Sequence, residues 1–466
     1  MRISRIKPWI SIVFLFLGAA SLRAQQYYIS DIQVEGNKRT QAHIILRELD
    51  AQKGDSVRVS RIRHVLNVSR ENLENTSLFN YVYMYYTPLE EGVNNIVLNV
   101  KVEERWYTFP MLNIRYEDRN LSAWLKSLDF NRVSFEFGAQ VYNLWGLNHG
   151  LTAGLQLGYR QALGLTYKNI TLDRRQKHFL SAGVSMQRSH HIDLMTVEDA
   201  PFNVKMPDQL LEQSFNLFAH YTFRYDVRTT HNFALSSGYQ KIADTVLTLN
   251  PDYWGLNRNE RIYLNFKYFF KKDNRDYIAY PLKGYFLKTE GRLYVSHDLG
   301  VRYAQLNANA QYYWKLGHRW YASEKFTAGA SIKNTRAYIL DQALGYEESA
   351  LRGYEYYVID GQHYANLNSS IRYNLMPKTI YVLHWLSALP KFNKIHFALY
   401  ATAFFDMGAV YHRYPGPNNY LSNRFLYSGG IGLDLVTYYD IVFVLNYSMN
   451  RQGERGLYFS LKLPFM

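Results

Sequence analysis

The chain has 466 residues and no cysteine, which excludes a disulfide scaffold and thiolate metal sites. It is 16 % aromatic with 42 tyrosines, and its formal charge of +14 falls to +10 once the four basic residues of positions 1–24 are set aside. That mild basic excess suits anionic lipid head groups or plain solubility, and the tyrosines suit either the girdles of a membrane barrel or a soluble β protein.

The first element is an apolar run over residues 9–20, preceded by Arg2, Arg5 and Lys7 and followed by the small residue Ala24. This predicts a secretory signal peptide over 1–24, since about twelve apolar residues are too few to span a bilayer as a helix. A signal anchor is the alternative. No later stretch approaches eighteen apolar residues. An exported chain of this kind is then soluble, or it crosses a second membrane as a β-barrel.

Residues 25–105 read strand, helix, helix, strand, strand. Tyr28-Ile29-Ser30-Asp31-Ile32-Gln33-Val34 alternates and ends at the turn signal Gly36-Asn37. Thr40 is placed to cap a helix carrying Ile44, Ile45 and Leu49, with Gly54 in the break after it. Ile62, Val65, Leu66, Leu73 and Leu78 give a second helical stripe, and 81–87 and 95–103 alternate as two strands. This order predicts one small α+β domain around a three-stranded sheet.

Beyond Trp106 the period changes to two. In 364–375, Asn366, Asn368, Ser370, Arg372 and Asn374 oppose Leu367, Ile371, Tyr373 and Leu375. Gln305, Asn307, Asn309 and Gln311 likewise oppose Leu306, Ala308, Ala310 and Tyr312, and Tyr458, Ser460 and Lys462 oppose Leu457, Phe459 and Leu461. About sixteen such segments, each near ten residues, predict an even-stranded antiparallel transmembrane barrel over 106–466. A soluble β-sandwich or propeller is the rival fold. Connections alternate between short (226–228, 315–318, 437–439) and long (189–212, 242–258, 335–359), as periplasmic turns and external loops would. Residues 376–394 break that alternation with Ile380, Val382, Leu383, Trp385, Leu386 and Leu389. They read as a packed interfacial segment in preference to an amphipathic element lying on the inner leaflet.

The motif Leu351-Arg352-Gly353-Tyr354 lies about fifty residues before Phe404-Phe405-Asp406-Met407-Gly408. Tyr400, Thr402, Phe404 and Asp406 share one face of an alternating segment, so a carboxylate on a watery face can hold an arginine carried in on a loop.

Val34-Glu35-Gly36-Asn37, Leu78-Phe79 and Val102-Glu103-Glu104-Arg105 resemble a polypeptide-transport-associated (POTRA) domain. Asn143-Leu144-Trp145-Gly146, Pro281-Leu282-Lys283-Gly284 and the two motifs above resemble the barrel of the outer-membrane assembly-factor superfamily. That superfamily includes the BamA and TamA assembly factors and the two-partner-secretion transporters. The resemblance implies that Arg352, between strands eleven and twelve, folds into the lumen and pairs with Asp406 on strand thirteen beside Phe404. Gly353 permits the sharp turn, and Tyr354 and Gly408 complete the motifs. It also places Asn143, Gly146, Pro281 and Gly284 at periplasmic turns, before the third and ninth strands. Leu461, Leu463 and Phe465 become the strand signal by which barrels are recognised for insertion. Pro464, unable to donate a ladder hydrogen bond, either weakens the seam with the first strand or lies just beyond it.

The implied function is assembly and insertion of outer-membrane proteins, or polypeptide translocation, from the outer membrane with the small domain in the periplasm. The partners are then unfolded outer-membrane or secreted polypeptides and outer-membrane lipid, with room for accessory lipoproteins and no nucleic acid. A single POTRA-like domain, offering an exposed sheet edge to extended clients or serving as a spacer, leaves room for a narrower exporter. A passive pore, a structural surface protein or lipid handling between membranes are the alternatives. No enzyme, cofactor or metal site is expected: His190-His191 near Asp193 lacks ligand spacing, and there is no phosphate-binding glycine loop or G-x-S-x-G elbow.

Overall fold

The computed structural model describes residues 25–90, 94–116, 130, 133–296, 300–346, 351–386, 388, 391–416 and 418–462. The expected signal segment, Leu463, Pro464 and Phe465 lie outside the described residues.

The N-terminal unit runs β1 (Gln26–Glu35), α1 (Ala42–Leu46), β2 (Ser56–Arg58), α2 (Ile62–Asn75), β3 (Phe79–Pro88) and β4 (Asn95–Glu104). Its sheet has four strands, not three, in the order β2-β1-β4-β3. The extra strand is three residues that follow the Gly54 turn and pair antiparallel with the start of β1, shielding part of that edge. β1 and β4 are parallel, and β3 forms the other edge. α2 turns Ile62 and Val65 onto buried Ile29, Ile96 and Leu98, and Leu73 onto a second cluster with Val82 and Val100. Leu78 is buried in the same core but lies past the end of α2, in the turn before β3. Thr40 does not cap α1, because its hydroxyl is taken by another partner.

The second unit is a barrel wall. Its strands are β5 (Thr108–Tyr116), β6 (Val133–Leu144), β7 (His149–Gly158), β8 (Arg160–Thr171) and β9 (His178–Ser189). A hairpin of β10 (His191–Val197) and β11 (Ala200–Lys205) leads to β12 (Glu212–Arg224) and β13 (Thr229–Ile242). After α3 (Asp244–Leu249) come β14 (Glu260–Asp273), β15 (Gly284–Ser296), β16 (Arg302–Lys315) and β17 (Trp320–Lys333). The short pair β18 (Gln342–Leu344) and β19 (Ile359–Asp360) precedes β20 (His363–Val382), β21 (Lys394–Tyr411), β22 (Phe425–Thr437), β23 (Val442–Asn450) and β24 (Arg455–Lys462). Sixteen of these form one antiparallel meander from β5 to β24, and among the described residues no ladder joins those two terminal strands.

Burial along the wall is inverted relative to a soluble protein. Leu306, Ile332, Ile431 and Leu457 point outward and are 63–73 % exposed, while Asn366, Asp406, Ser428 and Ser448 point inward and are at most 2 % exposed. Outward apolar rows are stable only against hydrocarbon, so the soluble sandwich and propeller do not hold. Near the short-turn end the outer face carries aromatic pairs: Tyr285 stacked on Tyr312, with Tyr312 against Trp314 and Trp320 against Tyr373 at tilted angles. Part of the tyrosine load is therefore a girdle.

The described part of 376–394, expected as a packed interfacial segment, is in strand on both sides of a short 3-10 turn at His384–Leu386, and its returning side packs, with Phe392 against Tyr439. β20 and β21 simply continue as a protruding hairpin, paired as far as Val382 and Lys394, with Ile380, Tyr381, Val382 and Trp385 exposed. At the opposite end the long loops pack on one another. Leu194, Leu211, Val246 and Trp254 form one cluster, and the β10–β11 tip crosses to other loops through Asp199, which accepts from the backbone N–H groups of Tyr420 and Leu421.

Candidate functional site

The loop between β17 and β20 folds into the lumen, and what holds it is built mostly on β20 and β21. Inward-facing positions on paired antiparallel strands form a polar patch, here Asn368 opposite Asp406 and Ser370 opposite Phe404. Arg352 Nε donates to Asp406 Oδ2 at 2.8 Å, its second leg reaches Oδ1, and its backbone N–H adds 3.1 Å to Oδ2. Two further guanidinium hydrogens go to Ser370 Oγ (3.0 Å) and the Ser369 carbonyl (3.2 Å). Asn368 Nδ2 donates to Asp406 at 2.8 Å. A forked, doubly charged contact of this kind is what guanidinium geometry favours, and it removes a fully buried carboxylate from isolation.

Neighbouring residues seat the loop. Gly353 has φ +89°, and its carbonyl accepts from Asn450 Nδ2 at 3.0 Å, while Ser428 Oγ donates to the Arg352 carbonyl. Tyr354 is buried and donates its hydroxyl to the Tyr427 carbonyl at 3.2 Å. Gly408 leaves room for Leu351, whose Cδ1 lies 3.1 Å from where a Cβ would stand. Glu355 Oε2 accepts from the Gly353 N–H at 2.7 Å, and burial beside Asp406 pushes its carboxyl up to about 7.

Asn143 and Gly146 have a different job from a bare turn. The turn between β6 and β7 is docked on the N-terminal unit: Asn143 Nδ2 donates to Thr40 Oγ1 (2.8 Å), and Gln41 N–H to the Gly146 carbonyl (3.0 Å). A Cβ on Gly146 would stand 2.1 Å from the Arg39 carbonyl oxygen, so only glycine allows this approach. Behind it Glu104 accepts from the Thr40 N–H and hydroxyl, both at 2.7 Å, and from the Arg39 N–H at 3.0 Å. Arg224 forks onto Glu48 (2.8 Å for one leg), Arg228 reaches Asn72 (3.0 Å), and Lys394 reaches Glu103 (2.7 Å). Arg105 pairs with Asp440 at 2.7 Å, both buried, and Tyr277 donates to the same carboxylate. Burial opposes ionisation of Asp440, yet the Arg105 guanidinium more than offsets it and holds the carboxyl below its ordinary range. Of the seven connections at this end, six touch the N-terminal unit or its exit at 104–107 among the described residues.

Pro281 lies in a ten-residue turn, not a minimal one, and Gly284 opens the strand that follows it. Gly284, at φ +98°, lets it fold back, since a Cβ there would strike the Asn274 carbonyl at 2.0 Å. The turn carries Tyr280 into the lumen, where its hydroxyl bonds Asp434 (2.6 Å), its ring packs on Tyr400 (4.8 Å), and Arg372 reaches the Pro281 carbonyl (3.4 Å). Leu461 faces outward on β24.

The sequence reading missed Ser369, the Glu104 hub, the Arg105–Asp440 pair and the Tyr277–Tyr280 turn. For Ser370 and Asn368 a signal existed in the polar alternation of 364–375. For Glu104 and Arg105 the motif was visible but the partners, 64 and 335 residues away, were not. No cluster of three His, Cys, Asp or Glu side chains able to hold a metal occurs among the described residues, and His191 stacks on Tyr159 (3.8 Å).

Residues 143–461 match the Omp85 superfamily domain, and residues 27–105 match the POTRA domain described as a surface antigen variable number repeat. No curated protein sequence matches the chain. Among solved structures it is similar to BamA from Haemophilus ducreyi lacking POTRA domains 1–3, at 14 % identity and a TM-score of 0.51, over 94 % of this chain and 85 % of that one. It is also similar to CdiB from Escherichia coli, at 11 % identity and a TM-score of 0.52, over 94 % of this chain and 75 % of that one. A sixteen-stranded wall preceded by a POTRA unit, with the superfamily match running over most of the chain, makes this protein a member of the Omp85 superfamily.

Proposed function

We propose that the chain inserts polypeptides into the outer membrane or passes them across it, with its POTRA unit in the periplasm and its long loops outside. The observation that carries this reading is the obstruction of the lumen from both ends. The Arg352 loop fills it from the long-loop side, Tyr280 and its turn enter from the other, and the POTRA unit is fastened over six of the seven connections there. A passive pore has no use for three separate obstructions held by buried, charge-assisted bonds. A gated device does.

The POTRA sheet offers the means of capture. Among the described residues β3 pairs only with β4, and its outer half exposes Tyr83 and Tyr85, whereas Asn80 and Tyr81 at its start bond the protruding hairpin at Lys391 and Lys394. An extended client strand can add to the open half through main-chain hydrogen bonds, whatever its sequence. The work is conformational and requires no chemical step.

The test is depletion followed by an inventory of outer-membrane and secreted proteins. Loss of a defined subset, reproduced by Arg352→Ala at normal barrel levels, is the expected result. An unchanged inventory together with a steady conductance indifferent to Arg352→Ala would give the case to the passive pore.

A further inference from the structure

The outer wall is not uniform. Between β14 and β17, toward the long-loop end, lies an apolar groove of about 470 Å³ bordered by Phe266, Leu293, Leu306 and Ile332 and floored by Ala304 and Ala330. Gly291 on β15 opens it further. A Cβ there would meet nothing closer than Leu306 Cδ2 at 3.6 Å, so the notch reflects missing side chains, not a backbone constraint.

The rim above the groove is basic. Arg302 starts β16 on the same outward face as Ala304, about 7 Å further out. His363, which lines the groove, stacks on Tyr411 at 5.8 Å, and Arg413 follows two residues later with its N–H held by Gln362 Oε1 at 2.8 Å. Arg336 and Arg413 both lie against the Tyr414 ring, at 4.1 and 5.3 Å from its centre, and all three arginines are exposed. Among the described residues none of the three forms an ion pair, although Lys333 and His412 beside them share Asp341. Uncompensated guanidiniums at the level of head groups, above a dry groove in the hydrocarbon, are complementary to an anionic head joined to an alkyl chain.

We propose that this groove and rim bind an acylated, phosphorylated lipid of the outer leaflet, one chain against Gly291 and Ala330 and a phosphate on Arg302, Arg336 and Arg413. The choice of leaflet rests on the orientation proposed above. The site does not depend on what the protein transports.

The experiment is native mass spectrometry of the full-length protein in detergent, with bis-phosphorylated lipid A, the same lipid stripped of phosphate, phosphatidylglycerol and inorganic phosphate as probes. The expected result is retention of bis-phosphorylated lipid A, weakened at least tenfold in Arg302→Gln/Arg413→Gln and in Gly291→Leu, with inorganic phosphate failing to compete. Both variants are first shown to be folded by heat-modifiable migration. Equal retention by all three proteins overturns the site, as does equal binding of the phosphate-free lipid. Preference for phosphatidylglycerol overturns the leaflet while leaving the transport reading to its own depletion test.

Discussion

Arg352 lies with its guanidinium carbon 3.9 Å from the centre of the Phe404 ring while its fork closes on Asp406, so one residue pair both charges and covers the same arginine. The ring face favours the cation and keeps water from the ion pair. Removing one member of such a buried pair costs about 3–5 kcal/mol. Asp406→Asn is therefore expected to release the loop, read as a gain of at least a hundredfold in protease cleavage near residue 352. Unchanged protection would show that Tyr354 and Leu351 suffice.

A charge swap is expected to repair this only in part. Asp406 also accepts from Asn368 and from the Arg352 backbone, so an arginine at 406 would face donors where it needs acceptors. Arg352→Asp with Asp406→Arg should recover some protection over the single variants and remain well below the natural chain. Arg352→Lys should also fall short, because an ammonium cannot fork onto Asp406 while reaching Ser370 and the Ser369 carbonyl.

Gly146→Ala tests the docking of the POTRA unit. The new methyl would collide with the Arg39 backbone at a residue whose φ is +74°. Amide exchange at residues 39–41 is expected to accelerate at least tenfold while the barrel keeps its migration on gels. Exchange as slow as in the natural chain would mean the turn is not seated as described.

Arg105→Ala should uncover Asp440 and free the POTRA exit from the turn between β22 and β23. Because Asp440 sits below its ordinary range, its contribution to docking is full above about pH 4, the unfolded value, and is lost as pH falls through the lower folded value. Docking in the natural chain should thus persist at pH 5, whereas Arg105→Ala should lose it even at neutral pH, measured by limited proteolysis of the linker.

Glu355 gives the opposite sign. Its carboxyl is raised to about 7 in the seated loop, chiefly by burial and further by Asp406, with Arg352 and two backbone N–H groups opposing. The free loop would titrate near 4.3, so the seated loop binds the extra proton. Loop protection is expected to strengthen as pH falls from 8 toward 5 and to become flat in Glu355→Gln. A pH response that survives in Glu355→Gln would assign it to another group.

The alternation of 364–375 and 399–406 determined the sheet, its two faces and the position of Asp406 in the lumen, because a period of two leaves a strand no other way to bury polar residues in a membrane. Strand count and the places of Arg352 and Gly353 were likewise legible, being local or carried by short motifs. The fourth strand at 56–58 was not, since three residues carry no periodicity and pair only because β1 is already there. Nor were the POTRA contacts. Glu104 with Thr40, Arg105 with Asp440 and Lys394 with Glu103 join residues up to 335 positions apart, and nothing local in either member specifies the other. Closing the wall into a cylinder brings its turns into one ring, and only that geometry decided that the ring would be covered by the domain preceding it.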